Sequence, residues 1–283
     1  MSRIAAAWER LGDEQRGALI MYLTVGFPHR TSAHELVPAI VESGADMIEL
    51  GVPFSDPLAD GATIQRAAQQ ALRNGVTLAY CLQTVRDLRD AGIKVPLLFM
   101  GYYNPMLQYG LQRFCAEAGA AGLDGLIVPD LPPEESDELR RHCIAHGLDL
   151  IYLVAPTSTD ERIREVGERA SGFIYCVALT GITGARTDVA ATLPPFLDRV
   201  RRATQLPLAV GFGISQPAHA ERVAQIADGV IVGSALVTIV EQSAEGGPAE
   251  VRSFVAAMRA GVDRARENRH EEGEAEQAPA GAS

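Results

Sequence analysis

Residues 47–61 read MIELGVPFSDPLADG. The opening run, Met47 to Leu50, is short and apolar, the pattern of a strand buried on both faces. Glu49 lies inside that run, where a carboxylate is costly unless it is paired, hydrogen-bonded or protonated. Gly51, Pro53, Pro57 and Gly61 then exclude helix or ladder, so a long loop follows the strand. That loop carries two more acids, Asp56 and Asp60. One acid on a strand and another on the loop above it can serve general acid/base chemistry. The plainer reading is a solvated turn in which Asp56 and Asp60 are ordinary turn residues.

Working outward, the same alternation of short apolar run and helical pattern recurs along the chain. Strands are predicted at 18–25, 47–50, 96–100, 125–128, 148–154, 173–177, 208–210 and 229–232. Helices are predicted between them, for example over 78–91, where Leu78, Leu82, Val85 and Leu88 recur at helical spacing. Another is expected to begin at Pro194. Eight such units imply parallel strands covered on both faces, and favour an α/β fold closed as a (β/α)8 TIM barrel over an open sheet. A helix containing Trp8 and Leu11 precedes the first strand. The longest intervals follow the second and sixth strands, so the extra chain sits in loops at the carboxyl end of the barrel, where such folds build their sites. A single barrel domain is expected over 1–267. From Asn268 the sequence NRHEEGEAEQAPAGAS is polar, acidic and low in complexity, and 268–283 are expected to be a disordered tail.

A chain of 283 residues with 47% hydrophobic content suffices for one large core. Its formal charge of −11 argues against a nucleic-acid partner, which needs a basic face. Lys94 is the single lysine and directly precedes a predicted strand, at the end of the barrel opposite the usual active face; a Schiff-base mechanism has nowhere to reside. Cys81, Cys115, Cys143 and Cys176 show no metal or redox spacing and read as core residues in a reducing compartment. His142 and His146 read as a surface pair, and no metal site is expected. Met1-Ser2-Arg3 leads into an amphipathic helix rather than an apolar leader, and no run is long enough to span a membrane, so a soluble cytoplasmic protein is expected.

Three glycine-bearing segments follow the last three predicted strands: Thr180 to Ala185, Gly211 to Ser215, and Gly233-Ser234-Ala235. Each can bring bare backbone N–H groups up to a ligand, and barrels commonly bind phosphate at the ends of their seventh and eighth strands. Thr183, Gly184, Gly213, Gly233 and Ser234 are therefore candidate phosphate-binding residues. Any one of these glycines alone could simply turn the chain. Glu49, Asp60 and Tyr175 are candidate catalytic groups at the same mouth; Tyr22 and Tyr102 are candidate walls with polar tips. Core tyrosines with a hydrogen bond are the alternative for all three phenols. The residues thus describe metal-free, lysine-free acid/base catalysis on a phosphorylated, partly apolar substrate.

The string Glu49 to Gly61, together with Thr180-Gly181-Ile182-Thr183-Gly184-Ala185, Gly211-Phe212-Gly213-Ile214-Ser215 and Gly233-Ser234-Ala235, closely resembles the motifs of the tryptophan synthase alpha chain family. The resemblance runs from about Trp8 to Arg266. It implies retro-aldol cleavage of indole-3-glycerol phosphate to indole and glyceraldehyde 3-phosphate. In that reaction Glu49 is implied as mobile acid/base, Asp60 as acceptor of the ring N–H, and Tyr175 as a positioning group. It also implies an alpha2beta2 complex in which a beta chain, holding pyridoxal phosphate, consumes the indole; this chain itself would need no cofactor. Asp56 would lie on the loop facing that partner. Tyr22 stands where a phenylalanine is also found in the family, a departure that leaves the acid pair intact. The alternatives are a stand-alone indole-3-glycerol phosphate lyase, which shares the chemistry, another phosphate-binding barrel enzyme, and a non-catalytic subunit, which would be expected to have lost an acid.

Overall fold

The computed structural model describes the backbone of residues 1–178, 186–211, 213–243 and 247–277, and the side chains of these except 186–191 and 266–277. Helix α1 (Arg3–Asp13) is followed by β1 (Ala18–Thr24), α2 (Ala33–Glu42), β2 (Met47–Gly51), α3 (Ala62–Arg73), α4 (Leu78–Asp90) and β3 (Leu97–Met100). Then come α5 (Tyr103–Tyr109), α6 (Leu111–Ala121), β4 (Gly125–Ile127), a 3-10 turn (Pro133–Glu135), α7 (Asp137–Ala145), β5 (Asp149–Val154), α8 (Asp160–Arg169) and β6 (Ile174–Val177). The chain closes with α9 (Arg186–Arg201), β7 (Leu208–Gly211), α10 (Pro217–Ala224), β8 (Gly229–Val232), α11 (Ser234–Gln242) and α12 (Pro248–Gln277). All neighbouring strands are parallel and β8 pairs back with β1, so the sheet is the expected closed barrel.

Side-chain alternation divides each strand between two cores. Ala18, Ile20, Met47, Leu98, Ile127, Ile151, Phe173, Ala209 and Ile231 point inward and form one buried cluster. Their neighbours, such as Leu19, Ile48, Phe99, Leu126, Ile174 and Val230, point outward into a larger cluster beneath the helices. This is the period-two logic of a strand applied eight times around a ring. Helix α1 stoppers the amino end of the barrel: Ile4 and Leu11 belong to the inner cluster, and Trp8 meets Phe173 edge-on with ring centroids 5.8 Å apart. Ser2 fixes the start of this helix by accepting from Ala5 N–H while its hydroxyl donates to Asp149.

A repeated device locks the strand pairs at this end. The residue immediately before β2, β4 and β8 is an aspartate whose carboxylate accepts the N–H of a residue at the start of the preceding strand. These bonds are Asp46 to Leu19 at 2.9 Å, Asp124 to Leu97 at 2.8 Å and Asp228 to Leu208 at 2.8 Å. Ser171, three residues before β6, does the same for Leu150 at 3.0 Å. Asp46 and Asp124, both buried, also take ion pairs from Arg259 and Arg89 respectively. Lys94 lies in the same region, between α4 and β3, exposed beside Arg3, Arg86 and Arg89.

Two expectations need correction. The helix predicted from Pro194 begins at Arg186 and runs through Pro194 and Pro195. Leu193, Phe196, Leu197 and Val200 are buried at helical spacing, and that burial outweighs the N–H bonds the prolines cannot make. The tail expected to be disordered from Asn268 is helical through Gln277 as a continuation of α12. Its Glu, Ala, Arg and Gln residues are strong helix formers, and no proline intervenes between Pro248 and Pro279. The short helix α5 was not anticipated either; it has too few residues to show a period. Among the described residues no helix is long and apolar enough to cross a membrane.

Candidate active site

Glu49 occupies the middle of β2, level with Tyr22 on β1 and Leu98 on β3, on an inward-pointing position. It is fully buried, and neither carboxyl oxygen has a hydrogen-bond partner among the described residues. Burial alone raises its pKa to about 8, because a carboxylate cannot be solvated there. The group is therefore a neutral acid at neutral pH.

Asp60 sits on the loop between β2 and α3, partly buried. Burial raises its pKa to about 6, and the neighbouring Tyr102 hydroxyl opposes that rise. Two carboxyls at one mouth are thereby separated: Asp60 is largely ionised where Glu49 is largely protonated. Such a split marks an acid and a base that can operate together.

Three phenols surround the pair. Tyr22 is buried, with its hydroxyl 3.1 Å from Thr24 Oγ1, and burial together with the nearby Asp60 raises its pKa. Tyr175 on β6 is buried too; burial and then the nearby Glu49 charge push its hydroxyl well above the ordinary phenol range. Both rings lie across the glycine that ends a neighbouring strand. A Cβ on Gly51 would stand 2.1 Å from the Tyr22 hydroxyl, and one on Gly211 would stand 2.4 Å from the Tyr175 hydroxyl. No side chain could occupy either position without expelling the phenol from the mouth. Tyr102, just before α5, packs against Phe54 with ring centroids 5.3 Å apart and accepts the Ala59 N–H at 3.0 Å.

On the far side of the mouth, Gly233 lies 3.7 Å (from its would-be Cβ) from Tyr22 Cβ, and Ser234 starts α11, which presents its free N–H groups there. Gly213 has a φ of +76° in the loop after β7, a conformation that favours glycine. Thr183 and Gly184 lie outside the described residues. Asp56 is exposed at the outer side of its loop, bonded to Ser55, and is not part of the buried cluster.

The structure thus brings Glu49, Asp60, Tyr22, Tyr102 and Tyr175 into one electrostatically coupled group. Thr24, bonded to Tyr22, belongs with them, and Gln65, itself exposed, holds the Asp60 carbonyl from outside; neither was singled out from sequence. Thr24 was within reach, being two residues beyond Tyr22 on an inward-facing strand; Gln65 carries no local signal. The four cysteines are free and buried. No group of three or more His, Cys, Asp or Glu side chains suited to a metal occurs among the described residues. A cavity of about 610 Å³ opens at the opposite end of the barrel, lined by Trp8, Arg16, Arg201 and Asp228 among others. Among the described residues lining it Asp228 is the one acid, and its carboxylate already accepts the Leu208 N–H.

Comparison with known proteins meets this geometry from the other side. The family model described as "Tryptophan synthase alpha chain" matches residues 8–265. The chain is 58% identical over 246 residues to the tryptophan synthase alpha chain of Roseiflexus sp. (strain RS-1), covering 87% of this chain and 94% of that one. It is 56% identical over 263 residues to that of Chloroflexus aurantiacus, covering 91% and 99%. Among solved structures, tryptophan synthase subunit alpha from Legionella pneumophila superposes with a TM-score of 0.87 at 38% identity, over 93% of this chain and 99% of that one. With sequence and fold matched over nearly their whole length, the chain belongs to the tryptophan synthase alpha chain family.

Proposed function

We propose that Glu49 and Asp60 carry this chain's reaction, the lyase reaction of the alpha subunit: cleavage of indole-3-glycerol phosphate to indole and glyceraldehyde 3-phosphate. The observation that carries the assignment is the difference in burial of two carboxyls at one mouth. Glu49 is fully buried on β2 with neither oxygen partnered among the described residues, which favours its protonated form, whereas Asp60 is only partly buried on the loop above and ionises more readily. Protonated Glu49 delivers its proton to the indole carbon that bears the side chain, while the Asp60 carboxylate accepts the ring N–H. The ring becomes a neutral indolenine, able to receive the electron pair of the breaking bond. Glu49, now a carboxylate, takes the proton of the adjacent side-chain hydroxyl. The carbonyl of glyceraldehyde 3-phosphate forms, the carbon–carbon pair moves into the ring, and Asp60 returns its proton to the nitrogen. Both carboxyls end as they began, and no outside oxidant or electrophile is required.

Tyr175 and Tyr22 at the mouth receive the aromatic part of the substrate, and backbone N–H groups at Gly213, Gly233 and Ser234 receive the phosphate, with Thr183 and Gly184 assigned to the same role from their motif. Because phosphate recognition is separate from proton transfer, Glu49→Gln and Asp60→Asn are each expected to abolish indole release while retaining substrate-analogue binding. Indole release measured spectrophotometrically, beside calorimetric binding of the analogue, tests this; full activity in either variant overturns the assignment.

We also infer that the chain works with a beta chain in a 2:2 complex, in the cytoplasm. In support, Leu58, two residues from Asp56 on the loop after β2, is 94% exposed, and Leu107 on α5 is 45% exposed. A stand-alone lyase has the same chemistry; co-purification with and without a beta chain separates the two.

A further inference from the structure

The loop between β2 and α3 is exposed at Ser55, Asp56, Leu58 and Ala59, yet Asp60 within it is held from three directions. Asp60 N–H donates to Pro57 O at 3.1 Å. Its carbonyl accepts from Gln65 Nε2 of α3 at 2.9 Å. Across the mouth, Tyr102 accepts the Ala59 N–H at 3.0 Å, which brings its hydroxyl beside the neighbouring Asp60, whose charge helps raise the phenol's pKa. Tyr102 is itself well fixed: it is only 5% exposed, stacks on Phe54 of the same loop, and is followed by Tyr103, whose N–H is held by the Asp130 carboxylate at 2.9 Å. The chain of support therefore runs from the loop after β4, through the start of α5, to the acid on the loop after β2.

We propose that Tyr102 is the positioning residue for Asp60, its hydroxyl holding the backbone next to the acid and standing beside the acid itself, rather than only a wall for the substrate. A phenol suits this because its oxygen accepts and donates at once, and its ring supplies the packing that keeps the oxygen in place. Gln65 acts from the opposite side, on the backbone alone. The proposal rests on the assignment of Asp60 as the ring N–H acceptor, so that only its ionised form works.

The test is the pH dependence of kcat/KM for indole release by the full chain and by Tyr102→Phe, Gln65→Leu and Asp60→Asn, with amide exchange at Ala59. Tyr102→Phe keeps the ring against Phe54 but loses the bond to Ala59 and the hydroxyl beside Asp60. It is expected to lower kcat roughly ten- to a hundredfold. Loss of the hydroxyl that favours the charged form moves the acid limb up by about half to one pH unit. The Ala59 amide is expected to exchange on the order of tenfold faster. Gln65→Leu is expected to lower kcat with the limb unmoved. An unmoved limb in Tyr102→Phe, unchanged Ala59 exchange, or an equal limb shift in Gln65→Leu overturns the proposal. If Asp60→Asn stays fully active, the acceptor assignment fails and takes the proposal with it; if Asp60→Asn is inactive while Tyr102→Phe keeps the parent profile, the positioning role alone fails.

Discussion

Ionising a glutamate buried without a partner costs a large share of a folded domain's stability, so Glu49 keeps its proton until the solution is mildly alkaline. Two consequences follow at this scale. Catalysis needs Asp60 ionised and Glu49 protonated, so kcat/KM should rise with pH through about 6 and fall through about 8; a flat profile across that window would contradict the pairing. The second concerns stability. The folded-state pKa of Glu49 lies above its usual 4.5, so the folded chain holds this proton more tightly than the unfolded chain. Its contribution is intact below the unfolded value and is lost as pH rises towards 8. Glu49→Gln, though inactive, should therefore resist urea better than the parent at pH 8 by on the order of 2–4 kcal/mol, the gap shrinking at pH 5. Equal gaps at both pH values would mean that the residue is not buried as a neutral acid.

Among the elements, the amino end of the barrel and its carboxyl end divide the work. At the amino end, Asp46, Asp124, Ser171 and Asp228 tie even strands to odd ones, and the ion pairs of Asp46 and Asp124 anchor α12 and α4 to the same ring. Asp124→Ala would leave the Leu97 N–H unmatched and the largely buried Arg89 without its counter-charge. The expected loss is about 3–5 kcal/mol in a denaturant titration, with kinetic constants for the remaining folded protein near those of the parent because the site lies at the other end. At the carboxyl end the strand-terminal glycines do the opposite job, leaving room. Gly211→Ala would force a methyl into the place of the Tyr175 hydroxyl. It is expected to reduce kcat/KM about ten- to a hundredfold with little change in fold, judged by indole release beside circular dichroism. The glycines of the seventh loop read from sequence as phosphate ligands, and Gly211 turns out to have a second reason to lack a side chain, which no local pattern could disclose.

For the whole molecule, the proposed contact with a beta chain is tested at Leu58, the almost completely exposed apolar side chain on the loop after β2. Leu58→Asp is expected to weaken association with a beta chain by about tenfold or more, near 1.4 kcal/mol, measured by calorimetry; undiminished affinity would move the docking surface elsewhere. Much of the architecture was legible beforehand. Eight apolar runs separated by helical spacing imply a closed parallel sheet, because each run must be buried on both faces. The prolines and glycines around Glu49 and Asp60 imply a long loop on an acid-bearing strand, because they exclude regular structure. Boundaries such as the start of α9 were not legible, since burial of Leu193, Phe196 and Leu197 overrode the local preference of two prolines. What the sequence determined by itself is what short-range physics controls: which segments pair, where the chain turns, and which residues can donate or accept a proton. Only the tertiary structure decided that Tyr22 and Tyr175 lie over Gly51 and Gly211, that Tyr102 grips Ala59 next to Asp60, and that Asp46 and Asp124 meet Arg259 and Arg89. Those contacts join residues far apart in the chain, and their distances are set by the closure of the barrel rather than by any neighbour in sequence.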